Sequence, residues 1–343
     1  MSTDNLDSHN LKSALVNGLI NEDVMQQIWN ISKIPLPFTD LCGTDSHGNE
    51  YYEWTQDSLS VPAIDNKVID GEDITQNDTA VGVRVGNHSQ TSVKAVAVST
   101  RAIESDTIGR ANEKSYQVMM RQQELKRDME AQMLSNSPSI AGTDAVAGQS
   151  GGLNAWLETN VSLAGTPGTV GGYNTATGIV DAFVTGGAAE ALTETKVRDV
   201  AESIYTEGGN PSIFMAVPKV IRAFSEYLFT SSARIATLTA ETNQKGPATG
   251  VGSVSIFVTD FGVTLDLIPN RLQAETIAGE STAFLIDPQH VRQSFLHSVR
   301  TEPLAKTGLS EKSLMSADYT LVVTTEKAHG MITDIDNSAP VTA

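Results

Sequence analysis

The chain has 343 residues, 40% of them hydrophobic, and carries 23 Lys and Arg against 41 Asp and Glu, a net charge of −18. Such a surface repels a phosphate backbone, because affinity for nucleic acid comes largely from Lys and Arg releasing counterions; direct DNA or RNA binding is thereby excluded as the main role. A single cysteine, Cys42, excludes any disulfide within the chain.

The length suggests about two domains. The first residues, Met1-Ser2-Thr3-Asp4, lack the basic-then-apolar pattern of a signal peptide. The longest uncharged run, Thr159 to Val180, is rich in Gly, Thr and Asn and cannot span a membrane. The expectation is a soluble product made in a reducing cytoplasm.

In chain order, residues 1–45 read as an extended arm with no core of its own. Leu11, Leu15 and Leu19 mark one short amphipathic set, and Val24, Ile28 and Ile31 a second. Ile34-Pro35-Leu36-Pro37-Phe38 forces an extended path. Its apolar anchors, Trp29 and Phe38, are expected to pack on another body; packing on the arm's own domain is the alternative. From Tyr51 to Thr100 the pattern turns to strand. Val81, Val83 and Val85 alternate, as do Lys94, Val96 and Val98, with Gly86-Asn87-His88-Ser89 as the turn of a hairpin. Asp65 to Asp78 is acidic and reads as a projecting, solvated loop. A lone hairpin is marginal in isolation and must lean on a neighbour.

Next comes one long helix. Ile108, Ala111, Ser115, Val118, Gln122, Leu125, Met129 and Met133 recur in steps of three and four along one face. Thr107 is placed to cap its start, and Pro138 bars continuation past Ser137. Roughly 27 residues at 1.5 Å each make a rod of about 40 Å, a strut across one face of a flat domain. The charge run Glu124, Lys126, Arg127, Asp128, Glu130 has two readings. It is either a solvated face with a weak Lys126–Glu130 ion pair, or a set of salt bridges to adjacent subunits.

Ser137 to Thr177 is rich in Gly, Ser and Thr, interrupted by Leu153, Trp156 and Leu157. Ordered loops of that length are uncommon unless functional or held by a partner. Gly148-Gln149-Ser150-Gly151-Gly152 within it fits the G-x-S-x-G nucleophile elbow, which requires a strand–turn–helix setting with a His and an acid. In a composition-biased stretch such matches arise by chance, so a serine hydrolase using Ser150 is the outsider reading.

A compact α+β or α/β region follows. Thr193 caps a helix with Val197, Val200, Ala201 and Ile204 on one face, stopped by Gly208-Gly209. Ile213 to Val217 reads as a buried strand, and Pro218 opens a helix with Ile221, Phe224 and Leu228 facing the core. Val254 to Val258 and Val263 to Leu267 form a hairpin around Asp260-Phe261-Gly262. Ala283 to Ile286, Tyr319 to Thr325 and Met331 to Ile335 are strands. Six histidines are scattered without an H-E-x-x-H or a Cys/His cluster, and no phosphate-binding glycine motif occurs, so neither metal nor cofactor is supported. His290 and His297, seven apart, could share a helix face and read as satisfied surface or core histidines.

Several segments, in this order and spacing, carry a family likeness. They are Ile31-Ser32 with Thr39 after Pro37-Phe38, Glu53-Trp54-Thr55-Gln56-Asp57-Ser58-Leu59, Gly86-Asn87 before the Val93 to Val98 strand, and above all Glu124 to Asn136. Gly152-Leu153 with Trp156 and Asn160, Val258 to Gly262 followed by Pro269-Asn270-Arg271, and Pro303 to Gly308 with Glu311-Lys312 complete the set. The succession resembles the major capsid (major head) proteins of tailed bacteriophages, in the short-tailed-phage group of the Hong Kong 97 fold. The resemblance implies an α+β fold with an N-terminal arm (1–45), an extended loop reaching over the adjoining subunit (46–100) and a peripheral domain with the spine helix and Gly-rich loop (101–180). An axial domain (181–280) and a C-terminal return to the peripheral domain (281–343) follow.

It implies a structural protein, not an enzyme, that assembles with itself into pentamers and hexamers of an icosahedral virion around double-stranded DNA, without binding DNA specifically. The partners implied are a portal protein, a separate scaffolding protein and a cement or decoration protein, with assembly in the host bacterial cytoplasm and no membrane. Candidate intersubunit contacts are Trp29, Phe38, Trp54, Asp57, Arg84, Lys126, Arg127, Asp128 and Glu130. The 137–177 loop would be a variable insertion, exposed outside or packed at a local threefold axis. No motif for a Lys–Asn crosslink carries over. The same fold serves encapsulin-like cellular compartments, which is the alternative function.

Overall fold

The computed structural model describes residues 35–73, 82–105, 112–164, 170–184, 188–230, 255–273, 279–306 and 308–342. Most of the predicted arm, with Trp29, therefore lies outside the described residues, as does Thr107. Pro35 and Pro37 lead into a one-turn helix α1 (Pro37–Leu41) and then strand β1 (Gly43–Ser46). Strands β2 (Tyr51–Gln56) and β3 (Val83–His88) flank a projecting segment, and β4 (Gln90–Ser99) runs into the short helix α2 (Thr100–Glu104). The long helix α3 (Glu113–Met133) is next, then the single turn α4 (Leu153–Trp156) and short strands β5 (Val161–Ser162), β6 (Gly172–Asn174) and β7 (Ile179–Asp181). Helices α5 (Glu194–Thr206) and α6 (Pro218–Thr230) flank β8 (Ile213–Ala216). Strands β9 (Ile256–Val258), β10 (Thr264–Pro269), β11 (Glu280–Ile286), β12 (Val291–Leu304), β13 (Ser310–Val323) and β14 (Gly330–Asp336) complete the chain.

Two sheets organise these elements. One has the order β1-β12-β13-β4, the other β5-β14-β11-β8-β10-β9; β2 with β3 and β6 with β7 form separate two-stranded ribbons. The six-stranded sheet separates two cores, as its period of two requires. Ile213, Met215, Phe284 and Ile286 face one core, which they share with Leu125, Met129 and Met133 of α3. Phe214, Ala216, Ala283 and Leu285 face the other, with Val197, Val200, Ala201 and Ile204 of α5 and Phe224 of α6.

Where local chemistry specifies an element, sequence and structure agree. The Thr193 side chain accepts from the Lys196 N–H and caps α5. Gly208 just past its end has φ of 95°, the left-handed conformation in which glycine escapes the Cβ penalty. The β9–β10 hairpin turns through Gly262 at φ 80°.

Four expectations are corrected. The long helix starts at Glu113 and has 21 residues, about 31 Å at 1.5 Å each. Its cap is Asn112, whose side chain accepts from the Ser115 N–H at 3.0 Å. The expected 81–98 hairpin does not exist: β3 pairs antiparallel with β2, while β4 pairs with β13 in another sheet. The supposed turn residues are strand residues chosen for packing. A Cβ on Gly86 would lie 2.6 Å from the Tyr51 ring, and Asn87 is fully buried, its amide donating to the Leu321 carbonyl at 2.8 Å. His290 and His297 share no helix; one lies in a 3-10 turn and the other in β12.

The fourth correction concerns the Gly-rich stretch. Its described part is only partly exposed: residues 141–147 stand in solvent, while the segments on either side are built into the subunit. Ile140 pairs with Gln149, and Leu153, Ala155, Trp156 and Leu157 are buried in the first core. The glycines serve close backbone approach: a Cβ on Gly152 would overlap the carbonyl oxygen of Ser135. Gly152→Ala must therefore displace backbone at the end of α3, and we expect a loss of about 1–3 kcal/mol in subunit stability, read from the urea midpoint.

Candidate assembly site

Glu130 lies on α3 beside the Met129–Met133 seam and is fully buried. It makes no pair with Lys126, the expected i,i+4 partner, which is exposed. Its carboxylate instead accepts from the backbone N–H of Phe38 (3.3 Å) and Thr39 (3.2 Å), the Thr39 hydroxyl (3.0 Å) and the Asn270 amide (2.8 Å). The N-cap of α1, Leu36, offers no side-chain acceptor, so a carboxylate distant in sequence satisfies the free N–H groups of that helix. Three chain segments meet on this one group: α1, the long helix and the residue after β10. Phe38 is fully exposed to none of the solvent and packs in its own subunit's core, which corrects the expectation that this anchor seeks another body. Burial first, and the Glu130 charge second, push the neighbouring Cys42 thiol far up, leaving it protonated and unreactive.

The rest of the charge run divides. Asp128 pairs with Lys94 of β4 at 2.6 Å, Arg121 with Glu124 at 2.5 Å, and Arg127 is half-buried. At the other end of α3, Lys114 and Lys306 bracket Glu311 at 2.8 and 3.0 Å. Their hydrogen bonds, then their charges, hold that carboxyl down at about 2, so the clamp joining α3 to the β12–β13 tip persists above that pH.

Trp54 stands on the β2–β3 ribbon with its ring 5.4 Å from that of Trp156, which in turn stacks on Tyr173 at 5.9 Å. Arg84 reaches Glu53 at 3.8 Å across the ribbon, and Asp57, where the ribbon ends, is exposed. Every residue from 57 to 73 is exposed, as the solvated-loop reading expects for its described part. Its apolar side chains stand out with the polar ones: Leu59 is 99% exposed, Val61 87%, and Ile64 wholly so. A groove of about 440 Å³ runs between α3 and β4, lined by Gln90, Ser92, Asp128 and Gln132 as well as Val93, Leu125 and Ala131.

Ser150 is buried. Its hydroxyl receives the Asn87 amide (3.2 Å) and the Leu321 N–H (3.2 Å) and lies 3.3 Å from the Thr320 hydroxyl. These partners are structural, and neither a His nor an acid is among them. Among the described residues no group of three or more His, Cys, Asp or Glu could hold a metal, and no helix is long and apolar enough to cross a membrane. Sequence reasoning missed Asn87, Asn270 and the buried role of Glu130. The only available signal was position: Glu130 directly follows Met129 and precedes Met133 by three, at the edge of the apolar stripe.

Two outcomes follow from this geometry. Glu130→Ala removes the acceptor of four donors and strands the buried Phe38 N–H and Asn270 amide, so we expect a loss of about 3–5 kcal/mol by chemical denaturation. His329 is fully buried and, through burial, titrates at about 4 rather than 6.5. Between those values the unfolded chain binds the additional proton, so stability present above pH 6.5 is lost as pH falls toward 4, by about 3 kcal/mol in all. His329→Asn should flatten that part of the stability–pH curve, measured by melting from pH 7 to 4.

Comparison with known proteins supports one family. The major capsid protein of Escherichia phage Phieco32 is 27% identical over 217 residues, 55% of this chain and 61% of that protein. The match thus spans less than two thirds of that relative's length. The capsid of a native GTA particle covers 96% of this chain and 100% of its own at TM-score 0.62 and 12% identity. The holo-SrpI encapsulin complex from Synechococcus elongatus PCC 7942 covers 98% of both chains at TM-score 0.56 and 13% identity. The capsid of Cyanophage P-SCSP1u covers 92% of this chain and 93% of its own at TM-score 0.55 and 12% identity. The fold is the α+β Hong Kong 97-like fold of these shells. Residues 4–336 match the family of the SU10 major capsid protein, and the chain belongs to that family of phage capsid proteins.

Proposed function

We propose that the chain is the major head subunit of a tailed phage, closing pentamers and hexamers into an icosahedral shell around double-stranded DNA, and that it performs no catalysis. The observation that carries this reading is the 57–73 segment, which holds Leu59, Val61 and Ile64 in water while two complete cores lie elsewhere in the chain. Exposed apolar side chains concentrated on one projection mark an interaction surface. In the assembled shell this segment is the extended loop that reaches over the adjoining subunit. The divisions expected from the sequence become an arm and loop for contact, a peripheral domain around α3 and an axial domain around α5 and α6. The inner end of the arm, at Phe38 and Thr39, is held by Glu130.

Portal, scaffolding and decoration proteins are the remaining partners of this reading, and the particle forms in the host cytoplasm before DNA enters. Of the contact candidates, Asp57, Arg84, Lys126 and Arg127 remain for intersubunit roles: the first three are exposed, with Arg84 held only by its 3.8 Å contact to Glu53, and Arg127 Nε has no hydrogen-bond partner. An encapsulin-like compartment is the second reading, favoured by the 98% mutual coverage with the encapsulin chain. Gene neighbours distinguish the two: portal and terminase genes for a phage, a cargo enzyme for a compartment.

The test is a Leu59→Asp, Ile64→Asp double variant. Both side chains are solvent-exposed in the isolated subunit, so its melting temperature should change by no more than the equivalent of about 0.5 kcal/mol. Closed particles, counted by electron microscopy, should be lost. Normal particle yield from the variant, or equal loss of subunit stability, would overturn the assembly role of this loop.

A further inference from the structure

One imidazole joins both limbs of the 47–89 excursion to the body of the subunit. His47 is the first residue after β1, and its backbone N–H donates to the Phe295 carbonyl of β12 at 3.2 Å. Its half-buried ring bridges two serines, with Nδ1 2.8 Å from the Ser294 hydroxyl of β12 and Nε2 2.6 Å from the Ser89 hydroxyl. Ser89 stands where the second limb ends, between β3 and β4, and both serines are buried. The Ser89 N–H donates to the Glu50 carbonyl of the first limb at 2.7 Å. The His47 ring stacks on Tyr52 of β2 with centroids 5.4 Å apart, and the Tyr52 hydroxyl donates to Asp45 of β1 at 3.1 Å. The β2–β3 ribbon carries the exposed 57–73 segment outward from this base, so what holds the base sets the direction in which that segment leaves.

Histidine changes charge near neutrality, so a clamp built on it has two states. Neutral, the ring donates from one nitrogen and accepts at the other, which requires one serine hydroxyl to donate to it. Protonated, it donates from both, and that hydroxyl must turn round. Burial, the largest influence, holds the ring below its ordinary value, against the charges of Asp318 on β13 and Asp45, which would raise it. The other charged or titratable groups around the base are Glu50 and Tyr52 on the first limb, His88 on the second and Arg292 on β12. His88 is likewise held low by burial, against the nearby Glu50. A His47 ring freed into water takes up its proton at about 6.5, the seated ring only at lower pH. The seated state is therefore fully favoured above that pH and loses ground as pH falls through the lower value.

We propose that His47 is the positioning residue of this loop and an acid-sensitive latch: neutral, it pins the two limbs to β12, and on protonation it lets them part from it. Farther out, Trp54 on Trp156 and Asn87 on the Leu321 carbonyl keep the ribbon docked. The response is thus a loosening at the base, which frees the angle of the loop without unfolding it. Its consequence in a shell rests on the contact role proposed for residues 57–73, whereas its test, made on free subunits, does not.

The experiment is hydrogen exchange read by mass spectrometry on the full-length subunit at pH 7 and pH 5, corrected for intrinsic exchange rates, with peptides from β11 as the internal reference. Peptides covering 43–52 and 86–92 should lose protection several-fold at pH 5 relative to that reference. His47→Gln still offers the serines one donor and one acceptor but does not titrate, so its protection should be the same at both pH values. His88→Gln should respond as the wild-type chain does. Unchanged wild-type protection overturns the proposal, as does a response that persists in His47→Gln or one that His88→Gln abolishes. If His47→Gln fails to fold, the wild-type and His88→Gln subunits still decide.

Discussion

A single buried carboxylate sets the connection between the N-terminal segment and the body of the subunit. Removing Glu130 from water is costly unless its lone pairs are filled, and the chain fills them with two backbone N–H groups, a hydroxyl and an amide. The requirement runs in both directions. Helix α1 is one turn long, begins at a proline and has no local cap, so without Glu130 its free N–H groups would face an apolar core. The α3 stripe packs along β4 and β13, and the charge beside Met129 is met by Asn270 from the segment that follows β10.

A second polar centre does comparable work between the β2–β3 ribbon, the Gly-rich stretch and the four-stranded sheet. Asn87 on β3 and Ser150 in the Gly-rich stretch bond to each other and to the backbone of β13 at Leu321. The Gly151 N–H donates back to Asn87 at 2.9 Å. Glycine flanks Ser150 because the backbone must come close enough to pair with these side chains. The sequence pattern of a nucleophile elbow is thus produced by a packing requirement. The serine is exposed to neither solvent nor a base, which is what distinguishes it from a nucleophile.

How much of this was legible depended on whether the signal was local. Helix α5 could be read because Thr193 and Gly208 define its ends by their own chemistry, and the β9–β10 hairpin because Gly262 supplies the turn. The β3–β4 boundary could not: Gly86 and Asn87 are turn-forming residues in isolation, and only the Tyr51 ring and the Leu321 carbonyl, both remote in sequence, explain them within a strand. The helix start failed for a milder reason, since an apolar stripe continues through Ile108 and Ala111 past the Asn112 cap. For the candidate site, spacing suggested a Lys126–Glu130 pair, but the helix turns Glu130 to the core side and Lys126 to water. A residue on the edge of a stripe is decided by what lies opposite, and one sequence does not contain that information in readable form.

The charge distribution completes the physical picture of a shell subunit. Among the described residues, many cations are already committed to acids of their own chain: Lys94 to Asp128, Lys114 and Lys306 to Glu311, Arg198 to Glu194 and Asp260, and Lys327 to Glu207. The excess of 18 negative charges therefore remains largely uncompensated on the surface. Copies of such a chain repel one another over about a Debye length, 8–10 Å near physiological salt, so attraction between subunits must come from contacts made at short range. Leu59, Val61 and Ile64, exposed on the 57–73 segment, are the side chains through which the proposed loop contact acts at that range. Under that proposal, repulsion at a distance with adhesion at contact keeps free subunits apart until the loop is seated, which favours closing a shell over aggregation.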